Sequence, residues 1–270
     1  MDETPAALRA GILGAAFRRR PPVGPLPGHI APYAAQVSTL DVLLAELDGP
    51  DWSAVVIYDW NVQDVVAHLM ATDRLLADQL SGERPPESDV DARTAAAITS
   101  ERAHSPEETR TAWRRHARDL CTRLTGPGTP DKVWIRQPLR LENAVVARAF
   151  ETWVHATDIA AAVRRSLPVP LPDHLHAIAD LGVRSLPAAL AARGIETTGT
   201  ARVLLEGPGG GDWLVPLGDD HPRTTLRLDV LDFCMLAADR RTPAEVDAAI
   251  EGDPTLAHHL LAAAPAFAGP

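Results

Sequence analysis

Four runs of this chain repeat their apolar residues at the spacing of a helix, and helix-stopping residues follow the first and the third, so the core must be built from long helices. From Tyr33 to Leu47 the apolar positions are Val37, Leu40, Leu44 and Leu47, and Gly49-Pro50 ends the run. The second run opens at Asn61, whose side chain can cap a free backbone N–H, with Asp64 placed to favour the positive end of the dipole. Its stripe is Val62, Val65, Val66, Leu69, Leu76 and Leu80. The third fits Pro106 to Leu124, with Glu107 and Glu108 in its first turn, Arg118 and Arg123 toward its end, and Gly126-Pro127-Gly128 after it. The fourth runs from Leu141 to Val163 on Leu141, Val145, Thr152, Ile159 and Val163. Long helices joined by loops predict an antiparallel four-helix bundle over residues 33–166, a scaffold that often holds metal between facing helices.

Alternating prolines from Leu167 to Pro172 cannot continue a helix and favour extended backbone, which marks a domain boundary. Residues 173–270 read as a small α+β domain. A helix is expected from Asp173 to Ala192, strands at Ala201–Glu206, Asp212–Leu217 and Thr224–Leu228, and helices at Val230–Ala238, Pro243–Ile250 and Pro254–Ala263. The Gly207–Gly211 run leads from strand to strand, whereas a dinucleotide-binding loop leads into a helix, so it is a hairpin turn. Residues 1–32, with many Pro and Gly from Arg19 to Pro32, are expected to be a short helix and an irregular arm. The fold class is therefore mostly α.

Composition removes several functions. The 26 basic residues against 36 acidic ones leave a net charge of −10, which opposes phosphate-backbone binding, so nucleic acid is not an expected partner. No run approaches the roughly 18–20 apolar residues of a membrane span. Arg18, Arg19 and Arg20 follow the apolar Leu8–Phe17 stretch, the reverse of a signal peptide's charge order, so a cytoplasmic protein is expected. Cys121 and Cys234 each fall inside a helical apolar pattern and read as core residues in a reducing compartment.

The polar residues inside the fourth helix are the candidates for chemistry. On a wheel turning about 100° per residue from Leu141, Val145, Thr152 and Ile159 fall at about 40°, 20° and 0°, and Glu151 and His155 at about 280° and 320°. Both lean inward, where an unpaired carboxylate or imidazole is costly. With His68 of the second helix they would form the His2Glu donor set that catalytic zinc uses with one position left open. His68 lies at the flank of its stripe, beside Thr72 and Leu75. The same spacing is satisfied if Glu151 and His155 bond each other and His68 is an interior histidine, and periodicity alone does not choose. Arg148 also points inward, as a partner for Asp158 or as a clamp for a substrate carboxylate. Asp158 is placed to orient His155 or to pair with Arg164 or Arg165. His104, His116, His174 and His176 read as solvated, and the adjacent His258 and His259 diverge too far to share a metal.

The segments that carry these residues resemble a known family. Trp60-NVQDVVAHL-Leu69 is similar to the first metal-binding helix of the mycothiol-dependent maleylpyruvate isomerase family, itself related to the DinB-like helical bundles. Arg148-AFETWVHATDI-Ile159 resembles that family's last bundle helix, and Asp232-FCMLAAD-Arg240 its C-terminal signature. The resemblance spans roughly residues 33–240. It implies His68, Glu151 and His155 as ligands of Zn2+ or another divalent metal, mycothiol as thiol cosubstrate, and Arg240 as a catalytic arginine facing the site. Asp239 stands where the family's signature has glycine, and the N-terminal arm is additional. Lys132 is the sole lysine among the 26 basic residues, an arginine bias that agrees with an actinobacterial source, where mycothiol is the principal small thiol.

The implied function is a zinc-dependent thiol (mycothiol) S-transferase or isomerase, in which a metal-bound thiolate attacks a small electrophile that could carry a carboxylate. The same donor set would also serve a hydrolase that activates water. A non-catalytic metal-binding or sensing bundle is the third alternative, although a structural zinc normally has four protein ligands. The partners expected are a small-molecule substrate and a small thiol, with neither nucleic acid nor membrane.

Overall fold

The structure, a computed structural model, describes residues 28–82, 89–135, 137–218 and 221–267. Most of the arm expected over residues 1–32 lies outside the described residues. Its end is not irregular: Ile30 is fully buried, and helix α1 (Ala31–Ala45) already includes Ala31 and Pro32. A single turn, α2 (Gly49–Trp52), is capped reciprocally by Asp48 and Asp51. A short hairpin follows, β1 (Val55–Ile57) against β2 (Trp60–Asn61).

Helix α3 (Val62–Leu80) begins at the expected cap. The Asn61 side chain accepts from the Asp64 N–H at 3.0 Å, and the Asp64 carboxylate accepts from the Asn61 N–H at 3.1 Å. Asp64 also accepts two hydrogen bonds of 2.8 Å from Arg102. That residue directly follows α4 (Asp89–Glu101), a helix the apolar periodicity does not reveal. Helix α5 (Pro106–Leu124) is capped by Ser105 with Glu108 bonding back. The hairpin β3 (Lys132–Ile135) and β4 (Gln137–Arg140) then delivers the chain to α6 (Leu141–Ala162).

Helix α1 lies along α6, while α3 packs against α4, α5 and α6. One apolar cluster joins Leu40, Val62, Val65, Leu69, Trp113 and Ile159; another joins Ile30, Tyr33, Leu76, Leu120, Leu141 and Val145. Helix α6 has a second buried face, Val146, Phe150, Trp153 and Val154, which enters the core of the C-terminal elements. A helix buried on two sides has apolar residues around most of its circumference, so its single expected stripe is only half of what it buries.

After residues 163–171, which form neither helix nor strand, come α7 (Pro172–Ala192), β5 (Thr200–Glu206), β6 (Gly211–Pro216) and β7 (Pro222–Asp229). Helix α8 (Val230–Ala237), β8 (Ala249–Gly252), α9 (Pro254–Ala263) and a short 3-10 helix (Ala264–Phe267) complete the order of the described residues. The sheet runs β6-β5-β7-β8, with β5 and β7 parallel and the other neighbours antiparallel. The Gly207–Gly211 run is the hairpin turn between β5 and β6; a Cβ at Gly210 would overlap the Leu205 carbonyl, so the tight return requires glycine there.

The helix expected over Pro243–Ile250 does not form. Thr242 and Glu245 close a single turn, in which the Glu245 carboxylate accepts from the Thr242 N–H and hydroxyl at 2.8 Å. Ala249–Gly252 then pairs with Arg227–Thr224. The N–H and C=O groups along the free side of β7 need partners, and β8 supplies them while packing Ile250 on the core.

Both cysteines are free thiols, and burial pushes Cys121 up to about 11 and Cys234 higher still. Among the described residues no helix is long and apolar enough to cross a membrane.

Asp239 preserves the turn that a glycine would make. It ends α8 at φ 57, with its N–H on the Leu236 carbonyl at 3.0 Å and the Arg240 N–H on the Met235 carbonyl at 2.8 Å, the Schellman pattern. Left-handed backbone costs an L-residue roughly 1–2 kcal/mol, and glycine gives back about 0.5–1 kcal/mol in unfolded-state entropy. Asp239→Gly should therefore stabilise the protein by about 0.5–1 kcal/mol and raise Tm by about 1–4 °C. A lower Tm in calorimetry would show that the aspartate side chain contributes more than the strain costs.

Candidate metal centre

Helix α3 is buried at every position from Asp64 to Asp73, so a polar residue in this stretch must find partners inside the protein. His68 finds two. Its Nε2 lies 2.7 Å from Glu151 Oε1, and its Nδ1 lies 3.2 Å from Thr94 Oγ1 on α4. The His68 and His155 rings meet edge to face, with centroids 5.1 Å apart. The three side chains named from the sequence thus converge: each of His68, Glu151 and His155 offers a ligand atom within 4.8 Å of the others. Among the described residues no other group of three such side chains comes together.

The surrounding polar groups differ in part from the sequence reading. Arg148 does not reach Asp158. Its Nε donates to Asp73 Oδ1 at 3.0 Å, its Nη1 to Glu151 Oε2 and its Nη2 to the Leu69 carbonyl at 3.4 Å. Asp73 Oδ2 accepts from the Tyr33 hydroxyl at 2.7 Å. Neither Asp73 nor Tyr33 stands out in the sequence; the signal available is a second buried carboxylate on the helix that carries His68, which needs a cation. Asp158 lies 3.3 Å from His155 Nδ1, at an angle too poor for a full hydrogen bond. It pairs with neither Arg164 nor Arg165; it accepts from Arg240, Nε at 3.0 Å and Nη2 at 2.7 Å. Arg165 instead approaches Asp51 at 3.9 Å. Arg240 also donates from Nη1 to the Ala238 carbonyl at 2.8 Å, so the C-terminal elements reach the centre through Asp158.

Trp60, to which the sequence assigns no role, has its ring centroid 5.3 Å from that of His68, and Tyr58 at the hairpin tip meets Trp60 edge-on at 5.7 Å. The remaining histidines stand apart: His116 contacts Arg74, His176 stacks on Trp213, and His258 bonds the Pro254 carbonyl.

The electrostatics favour cation binding. Burial pushes the Glu151 carboxyl up, but Arg148 and His68 beside it more than offset this and hold it well below the usual carboxylate range. Burial lowers His155 below its ordinary value against the opposing pull of Asp158, so the imidazole is neutral at pH 7. Two imidazoles and one carboxylate suit zinc. Tetrahedral bonds of about 2.0–2.1 Å would place donors roughly 3.3 Å apart. The 2.7 Å His68–Glu151 contact, now bridged by a proton, need open only slightly for an ion to replace that proton. Glu151 is the accessible side of the cluster, with 31% of its side chain exposed against 10% for His68 and 11% for His155.

Residues 33–160, which contain all three side chains, match the family model described as the mycothiol maleylpyruvate isomerase N-terminal domain. Two uncharacterized proteins of Mycobacterium tuberculosis, from strains CDC 1551 / Oshkosh and ATCC 25618 / H37Rv, are each 29% identical over 254 residues, covering 89% of this chain and 95% of theirs. Crystal structures of a mycothiol-dependent maleylpyruvate isomerase and of its histidine-to-alanine mutant superpose with TM-scores of 0.56 and 0.57 at 16% and 15% identity. Each match covers 83% of this chain and 93% of the other. At that identity the likeness shows a shared fold, and it extends beyond residues 33–160.

Arg148 and Asp73 are 3% and 1% exposed, so removing one charge strands the other. Arg148→Met alone should cost about 3–5 kcal/mol in denaturant unfolding. A loss under about 1 kcal/mol would mean that Asp73 finds another cation or takes up a proton without strain.

Proposed function

The chain belongs to the mycothiol maleylpyruvate isomerase family through residues 33–160, and from that premise we propose that it is a zinc-dependent enzyme acting with a small thiol, mycothiol, on a small electrophile. The reaction is a thiol S-transfer or a thiol-assisted isomerisation. The observation that carries this reading is the convergence of two imidazoles and one carboxylate at a partly exposed point between α3 and α6. His68, Glu151 and His155 would hold a divalent ion there, and the ion would supply an open coordination position and Lewis acidity toward a thiol.

The chain's own groups prepare that position. Thr94 Oγ1 engages Nδ1 of His68 at 3.2 Å and so directs Nε2 inward; Asp158 faces Nδ1 of His155 and leaves its Nε2 for the ion. Both rings are nearly buried, so Glu151 is the most exposed of the three side chains. Arg240 is the residue for the substrate. It holds Asp158 through Nε and Nη2 and the Ala238 carbonyl through Nη1, which leaves one further N–H on each terminal nitrogen. With 25% of its side chain exposed, it can meet a substrate carboxylate or a developing enolate without releasing Asp158. The cluster has three members, which favours an open catalytic site over a closed structural one.

Purified protein should carry close to one zinc per chain, and His155→Ala should lose both the metal and thiol-dependent turnover while keeping its fold. Full zinc occupancy in that variant by elemental analysis would remove His155 from the ligand set. Turnover of an ester or amide without thiol would reassign the open position to water.

A further inference from the structure

The two oxygens of Glu151 point to different partners. Oε1 faces His68 Nε2 at 2.7 Å, while Oε2 accepts from Arg148 Nη1. Arg148 cannot swing away cheaply, because its Nε is bonded to Asp73 at 3.0 Å and its Nη2 reaches the Leu69 carbonyl at 3.4 Å, one residue from His68. Asp73 is in turn fixed by the Tyr33 hydroxyl at 2.7 Å. The line therefore runs from α1 through α3 to α6, and it ends on a proposed ligand.

A line of buried charge needs a reason. Replacing a buried ion pair by apolar groups of similar size is often neutral or stabilising, so stability alone does not account for Arg148 and Asp73. Their position accounts for them. A carboxylate beside a four-coordinate ion can bind through both oxygens, which raises the ion to five-coordinate and leaves no vacancy beside the position that an incoming thiol needs. With Oε2 engaged in a charge-assisted hydrogen bond, a second metal–oxygen bond would require breaking that contact inside the protein. Asp73 completes the device: it cancels the charge of Arg148, so the cluster still presents the single negative charge of Glu151 to a cation.

We infer that the Tyr33–Asp73–Arg148 line makes Glu151 a one-oxygen ligand and so keeps a coordination position free for the thiol. Arg148 and Asp73 are then positioning residues rather than catalytic ones. The inference rests on the metal-site reading above, and the experiment separates the two.

The double variant Asp73→Asn with Arg148→Met removes both buried charges together, leaves Tyr33 an acceptor, and preserves the net charge around Glu151. Both proteins are loaded with cobalt(II), whose visible absorption is intense in four-coordinate tetrahedral sites and weak in five-coordinate ones. The wild type should bind one cobalt with the intense spectrum. The double variant should bind one cobalt with several-fold weaker absorption, as Glu151 closes on the ion with both oxygens. An unchanged intense spectrum in the folded double variant overturns the inference while leaving the metal site intact. A wild type that binds no cobalt or zinc overturns both. If the double variant does not fold, a crystal structure of the zinc-loaded wild type decides. Oε1 on the metal with Oε2 on Arg148 supports the inference; a two-oxygen Glu151 with Arg148 turned away overturns it.

Discussion

The burial of α6 on two faces is the constraint from which the rest follows. Leu141, Val145 and Ile159 commit one face to α1 and α3, and Val146, Phe150, Trp153 and Val154 commit another to α7 and the sheet. What remains is a seam on which Arg148, Glu151, His155 and Asp158 follow one another at helical spacing. Three members of that seam are satisfied from other elements, Arg148 by Asp73, Glu151 by His68 and Asp158 by Arg240, while His155 faces only Asp158 of its own helix. A polar stripe between two apolar faces is tolerable only on those terms, since an unpaired group there would carry its full desolvation cost.

The partners come from separated parts of the chain, and that gives the centre its rigidity. Thr94 reaches His68 from α4, Tyr33 fixes Asp73 from the start of α1, and Arg240 arrives from the turn after α8. The last depends on a backbone detail. The left-handed Asp239 turns the chain so that Arg240 follows the helix end by a Schellman closure and lies against Asp158. The sheet thus contributes to the site without supplying a ligand, by holding the helix that aims this arginine.

Much of this is legible in the residues, for identifiable reasons. Helix α3 announces itself by its Asn61 cap, α5 by its charged ends and the Gly-Pro-Gly stop, and α6 by its stripe, so spacing alone places Glu151 and His155 inward. His68 is different, because α3 is buried around nearly its whole circumference and a wheel assigns no special direction to a position on such a helix; family resemblance in the Trp60–Leu69 segment is needed. Helix α4 is invisible to periodicity because its Ala- and Thr-rich sequence lacks an apolar stripe, and Thr94 is lost with it. The hairpins at Val55–Asn61 and Lys132–Arg140 have strands too short for alternation to register. Strand β8 reads as helix in sequence because its pairing with β7 is a long-range requirement that local propensity does not contain. Arg148 is recognisably inward, but its expected partner Asp158 lies about 15 Å further along the same helix, out of reach, and Asp73 on another helix is not visible as a partner in sequence.

The central claim is that the centre formed by His68, Glu151 and His155 offers its open position to sulfur. X-ray absorption at the zinc edge tests it most directly, on the zinc-loaded protein with and without mycothiol. Mycothiol should introduce one sulfur scatterer at about 2.3 Å beside nitrogen and oxygen at about 2.0–2.1 Å. A shell of nitrogen and oxygen alone, unchanged at saturating thiol, would contradict it.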